Sequence, residues 1–209
     1  MLGPKMKQTQ GGVTLIELMF TVLVLAVLLS IGLPSFRQFT QASRMASATN
    51  SVLADLNYAR TEAIKRRRPV TLCRSTDGAT CATAAGAFRE WIVFLDSYEE
   101  AGSVGPPVVP AIPRGNGVVD DDEETVLRTG SMDEQITPVV NGRRMVFEPS
   151  GFPDMDITET VTQLVLCDTR GNVASAGEDS AARAITISPV GRPTLTRERA
   201  TITTLGGCS

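Results

Sequence analysis

The chain has no histidine. That removes the commonest general base, the base of the usual catalytic triad and the commonest metal ligand. No constellation of other residues replaces it, so no catalytic residue, cofactor or enzyme activity is expected. Aromatic residues make up 5% of the chain, with a single tryptophan, too few for a stacking platform for single-stranded nucleic acid. An excess of positive charge is also missing. Twenty Lys and Arg stand against 23 Asp and Glu, a net charge of −3, so any affinity for nucleic acid or acidic lipid must come from a local patch. The four cysteines form no C-x-x-C pair, so a zinc site is not expected.

What the chain has is an apolar run near its start. Leu18 to Phe36, LMFTVLVLAVLLSIGLPSF, contains no charge, and Val13–Phe36 contains one, Glu17. As a helix, roughly 24 residues span about 36 Å, enough to cross a hydrocarbon core of about 30 Å. Lys5 and Lys7 precede the run without any acid, so the start is expected in the cytoplasm and the body on the periplasmic side. A secretory signal peptide shares the basic start and apolar core. Here, however, no A-x-A site closes the run, which passes through Pro34 into a polar helix. An ordinary signal anchor leaves Glu17 unexplained, because a carboxylate inside a membrane helix is unfavourable and normally paired.

Gly11-Gly12-Val13-Thr14-Leu15-Ile16-Glu17-Leu18 resembles the processing site of type IV pilins and type II secretion pseudopilins. The resemblance implies cutting by a prepilin peptidase after Gly12. The new α-amine on Val13 is then N-methylated, and Pro34 stands where the family commonly has a helix-kinking proline. The family usually has Phe where Val13 stands. Read from Met6 the leader would be MKQTQGG, a more typical length, so Met6 is a candidate start. Glu17 is one helical turn from the new amine and is expected to pair with it between neighbouring subunits. At an effective dielectric near 20, opposite charges about 4 Å apart attract by about 4 kcal/mol.

From Arg37 an amphipathic helix is expected to run to Arg68. Met45, Val52, Leu53, Leu56, Ala59, Ala63 and Ile64 recur at three- and four-residue steps, with Arg44, Asp55, Arg60, Glu62 and Lys65 interspersed. Lys65-Arg66-Arg67-Arg68 before Pro69 reads as a helix end, where cations complement the dipole. Short β-branched runs follow at Val70–Cys73, Glu90–Leu95, Thr125–Arg128, Met145–Pro149, Gln163–Cys167 and Ala184–Pro189, predicting one antiparallel β domain over 69–209. The proline-rich Gly102–Gly117 reads as a surface loop. Asp120–Glu124 reads as a solvated turn, since it lacks the spacing of a calcium loop. In an exported domain the four cysteines form two disulfides, with three connectivities open. The expected pairs are Cys73–Cys81 and Cys167–Cys208, contributing about 2.6 and about 3.9 kcal/mol in the chain-entropy account.

TLCRSTDGATC, EWIVFLD, EETVLR, VFEPSG and LCDTRG together are similar to the FimT/FimU minor pilins and their relatives, the H pseudopilins of type II secretion. The implied fold is α+β, a long N-terminal helix packed on an antiparallel β domain. Residues 1–12 are then the leader, 13–36 the transmembrane half-helix and 37–68 its amphipathic continuation. The implied partners are the prepilin peptidase, other pilins or pseudopilins, and inner-membrane lipid. The first expectation is a minor pilin, and the second an H pseudopilin. A third is a pilus-borne DNA receptor, because one subgroup carries a C-terminal GRxR motif. Here Gly191-Arg192-Pro193-Thr194 matches only its first arginine, and Arg197 and Arg199 follow. If Arg192, Arg197 and Arg199 each neutralised a phosphate, log affinity would fall against log salt with a slope near −2.7.

Overall fold

Leucine and alanine are the commonest residues of the long N-terminal stretch, and it folds as one helix, α1, Leu15–Arg66. The computed structural model describes residues 12–82, 87–96, 119, 124–155, 160–173 and 179–208. The proline-rich loop and the acidic residues Asp120–Glu123 lie outside these. The chain divides into two units, one ending at Gln41 and the other running from Ala42 to Ser209.

Within the first unit, α1 is long and apolar enough to cross a membrane, and its apolar window is wholly unburied by the chain itself. Phe20, Leu28 and Ile31 are between 63% and 67% exposed. Side chains of that kind need lipid or another protein to cover them.

Within the second unit, α1 buries Met45, Ala48, Val52, Leu56, Ala59 and Ala63. Two departures from the expected stripe occur. Ile64 is exposed, whereas Asp55 and Glu62, seven residues apart on one face, are buried. Asp55 accepts the Trp91 indole N–H at 2.8 Å and the Arg128 Nη1 at 2.8 Å, and the Arg128 guanidinium lies 4.4 Å from the Tyr58 ring centroid. A buried carboxylate is tolerated because it is paired and hydrogen-bonded. Replacing Asp55 by alanine leaves the buried indole N–H and the guanidinium without this partner. The expected result is a loss of about 3 kcal/mol in urea unfolding, and an unchanged midpoint would contradict it. Glu62 takes Arg66 at 2.5 Å and Lys65 at 3.3 Å. The Arg66 hydrogen bond is the main reason its carboxyl sits below the usual range. Two of the four cations in the basic run are therefore engaged with Glu62. α1 stops at Arg66, two residues before the expected end. Arg67 takes a left-handed φ of 55°, and Pro69 cannot continue the helix.

Among the described residues eight strands follow: β1 Val70–Arg74, β2 Glu90–Leu95, β3 Val126–Ser131, β4 Thr137–Val140, β5 Arg144–Phe147, β6 Gln163–Cys167, β7 Asp179–Ile187 and β8 Pro193–Glu198, then a short helix, α2 Arg199–Thr204. They form two four-stranded sheets, β3-β2-β1-β5 and β4-β6-β7-β8, with every named pair antiparallel. One face of both sheets shares a core with α1: Leu72, Trp91, Val93 and Phe147 from the first, Leu164, Leu166 and Ile185 from the second. On the other face of the second sheet, Ile202 of α2 is buried over Val165 and Ala184.

Both disulfides have the expected pairing, Cys73–Cys81 and Cys167–Cys208. The second spans 41 residues and ties the segment after α2 to β6. Substituting Cys167 and Cys208 by alanine is expected to lower stability by about 3.9 kcal/mol at most. Urea unfolding checks it, and an unchanged midpoint would mean that the tie contributes nothing.

Candidate functional site

The residues singled out at the N-terminus fall at the start of α1. Gly12 stands before it in open space, with nothing within 4 Å of where a Cβ would be. Val13 is 70% exposed and precedes the helix. Thr14 caps α1: its Oγ1 accepts the Glu17 N–H at 3.3 Å, and its carbonyl accepts the Leu18 N–H at 3.1 Å. A threonine three residues before a glutamate is the spacing of a capping box, a signal present in the sequence that composition and charge counting pass over. Glu17 thus lies in the first turn, where the helix dipole favours a carboxylate. The cap separates an exposed dipeptide, Gly12-Val13, from the rigid helix, as a protease needs for backbone access.

A methyl group at position 12 meets no neighbour among the described residues, so an effect of substitution on processing would point to contact with a peptidase. Gly12→Ala is expected to slow cleavage slightly and Gly12→Leu to block it, as seen by the gel shift from precursor to mature form. Equal processing of both would show that close approach to this backbone is not required.

Pro34 lies inside α1 and cannot donate to the carbonyl four residues back. Nearby, the Ser30 hydroxyl donates to the Val27 carbonyl at 2.7 Å and the Ser35 hydroxyl to the Ile31 carbonyl at 3.4 Å. These back-bonds and the missing ladder bond are the ingredients of a bend.

The three C-terminal arginines are not one patch. Arg192 closes the turn before β8, while Arg197 lies near its far end, about 17 Å along the strand at ~3.3 Å per residue. Arg197 Nη1 pairs with Asp179 at 3.6 Å, and Arg199 opens α2. All three are exposed. Arg197 and Arg170 instead each lie near enough to Arg183 to act on its charge. Burial first, then the charges of Arg197 and Arg170, hold the Arg183 guanidinium below its ordinary value. Arg170 Nε in turn bonds Asp168 at 2.9 Å. Among the described residues no group of three metal-ligating side chains occurs.

The Type II transport protein GspH family profile matches residues 48–191, more than half of the chain. The chain belongs to the GspH family. This is a family of type IV pilin-like minor pilins and pseudopilins, whose members are structural. The prokaryotic N-terminal methylation motif matches residues 7–33, spanning Gly12, Val13 and Glu17. The motif implies prepilin peptidase processing and assembly with other pilins. No curated protein sequence matches the chain. Among solved structures, the type IV minor pilin FimU of Pseudomonas aeruginosa is similar in two crystal forms. One is 18% identical with a TM-score of 0.42, covering 72% of this chain and 91% of that one. The other is 19% identical with a TM-score of 0.42, covering 76% and 92%. In this GspH-family chain the profile ends at residue 191, so Arg192, β8, α2 and Cys208 lie beyond the matched stretch.

Proposed function

We propose that this protein is a minor pilin of a type IV pilus, cut between Gly12 and Val13, N-methylated at Val13 and held in the filament by its N-terminal helix. Before assembly the helix anchors it in the inner membrane, with the second unit periplasmic. The observation that carries this reading is the first unit of α1. Its apolar side chains are uncovered, and its one carboxylate, Glu17, sits a single turn beyond an open Gly12-Val13. Such a helix is covered on all sides only by lipid or by other such helices. The second unit carries no catalytic constellation among its described residues and supplies a disulfide-tied body on that helix.

The family's description as a type II transport protein favours a second reading, an H pseudopilin of the type II secretion apparatus. One experiment separates the two. Deleting the protein and assaying both surface pili and secreted enzymes should abolish or reduce the pili and leave secretion intact. Loss of secretion with normal pili selects the pseudopilin, and an effect on neither contradicts both.

A further inference from the structure

Two turns of the same construction meet at one end of the second unit. Glu148-Pro149-Ser150-Gly151-Phe152 follows β5, and Ser188-Pro189-Val190-Gly191-Arg192 joins β7 to β8. In each, the glycine N–H donates to the carbonyl of the first residue at 2.8 Å. The first residue's N–H donates to the carbonyl of the fifth, at 2.9 Å from Glu148 and 3.1 Å from Ser188. Both glycines are left-handed, φ 81° and 75°, and proline presets the first central position.

The turns interlock with each other and with α1. A Cβ on Gly191 would lie 2.6 Å from the Gly151 carbonyl oxygen, and one on Gly151 would lie 2.6 Å from Ile64 Cδ1. Arg60 Nε donates to the same Gly151 carbonyl at 3.0 Å. Three apolar side chains are thereby gathered at this end and left uncovered: Ile64 at 49%, Phe152 at 48% and Val190 at 54% exposure. The turns themselves do not demand them. Where one has Val190 its twin has Ser150, and where one has Phe152 its twin has Arg192. Beside this centre stand Arg60, which bonds Gly151, and the exposed Arg192 of the second turn, while Glu62 is taken up by Lys65 and Arg66. Glu148 is the one further acid in the two turns. Among the described residues of the two turns and the facing stretch of α1 the rim is therefore positive, on a chain whose net charge is −3.

An apolar centre ringed by arginine is the composition of a protein interface. A phosphate backbone would satisfy the arginines and leave Ile64, Phe152 and Val190 in water. We propose that this end of the unit docks a neighbouring subunit of the filament, through a segment that sets one or two apolar side chains between carboxylates. This rests on the pilin reading and adds to it a surface outside the N-terminal helix.

The test uses the full chain in cells, with a photo-crosslinking residue at Val190 and a control at Val173, which is 61% exposed. The expected adduct from position 190 maps to an acid-rich segment of another filament subunit. It is lost in an Arg60→Glu/Arg192→Glu variant and kept in Arg192→Lys. No adduct, the same adduct from position 173, or adducts to DNA or to acid-poor segments overturn the proposal. In parallel, Phe152→Asp/Val190→Asp should lower recovery in sheared filaments about tenfold, as loss of an interface anchor does. Cleavage at Gly12 and the Cys167–Cys208 bond should remain. Undiminished recovery of this variant sinks the docking surface alone, whereas absence of the unmutated chain from filaments sinks the pilin reading.

Discussion

Replacing Glu17 by valine is expected to leave membrane insertion intact and to remove most of the protein from filaments. In the precursor the carboxylate stands in an otherwise apolar helix, so its removal relieves a desolvation penalty, and the membrane fraction should hold as much protein or more. In the filament the same carboxylate is proposed to meet the α-amine of Val13 on a neighbour. A pair about 4 Å apart at an effective dielectric near 20 is worth about 4 kcal/mol. Desolvation offsets part of this, leaving at least about a tenfold fall in incorporation, since about 1.4 kcal/mol corresponds to a factor of ten. Glu17→Asp keeps the charge on a shorter arm and should recover part of the effect. Quantitative blotting of sheared filaments against the membrane fraction measures both quantities. Full incorporation with valine at position 17 would show that charge pairing does not drive assembly of this subunit.

Gly130→Val should be among the most damaging single changes in the second unit. Gly130 faces Trp91 across the β2–β3 ladder, and a Cβ there would lie 2.2 Å from Trp91 Cε2. The indole cannot yield, because Trp91 is 1% exposed and its N–H is fixed on Asp55. Either the ring leaves the core or β3 separates from β2. The expected loss is about 3 kcal/mol, the upper part of the range for overpacked cores. Trp91 is the chain's one tryptophan, so its fluorescence during urea unfolding reports this site directly. Gly32→Ala, in a place where a Cβ meets nothing within 4 Å, should leave the same transition unmoved. An unshifted midpoint for Gly130→Val would mean that β3 moves aside freely.

The parts of the fold written in strong periodicity were legible in the sequence. The apolar run and the three- and four-residue steps after it gave one long helix, and six β-branched runs correspond to β1, β2, β3, β5, β6 and β7. That the cysteines form two disulfides followed from their compartment, while three connectivities stayed open and the structure has the expected one. What escaped has physical reasons. β4 and β8 are edge strands carrying Pro138 and Pro193, and proline argues against a strand unless its edge position is already known. α2 is only six residues, too short for periodicity to mark. The two-sheet division is invisible in a list of strands, because it depends on which edges pair. Asp55 and Glu62 read as solvated charges, and only the arrival of Trp91, Arg128 and Arg66 makes their burial tolerable. At the candidate site, Gly12, Val13 and Glu17 were singled out by the resemblance of residues 11–18 to a pilin processing site, and the methylation motif spans all three. The separation of Arg192 from Arg197 was not, since residues five apart are near in sequence but far along an extended strand.

The most direct measurement is the N-terminal mass of the protein isolated from cell envelopes that contain a prepilin peptidase. The account predicts a mature chain beginning at Val13, with methylation of its α-amine as an added mass on the first residue. A chain beginning after Pro34, or one retaining Gly11-Gly12, would contradict it.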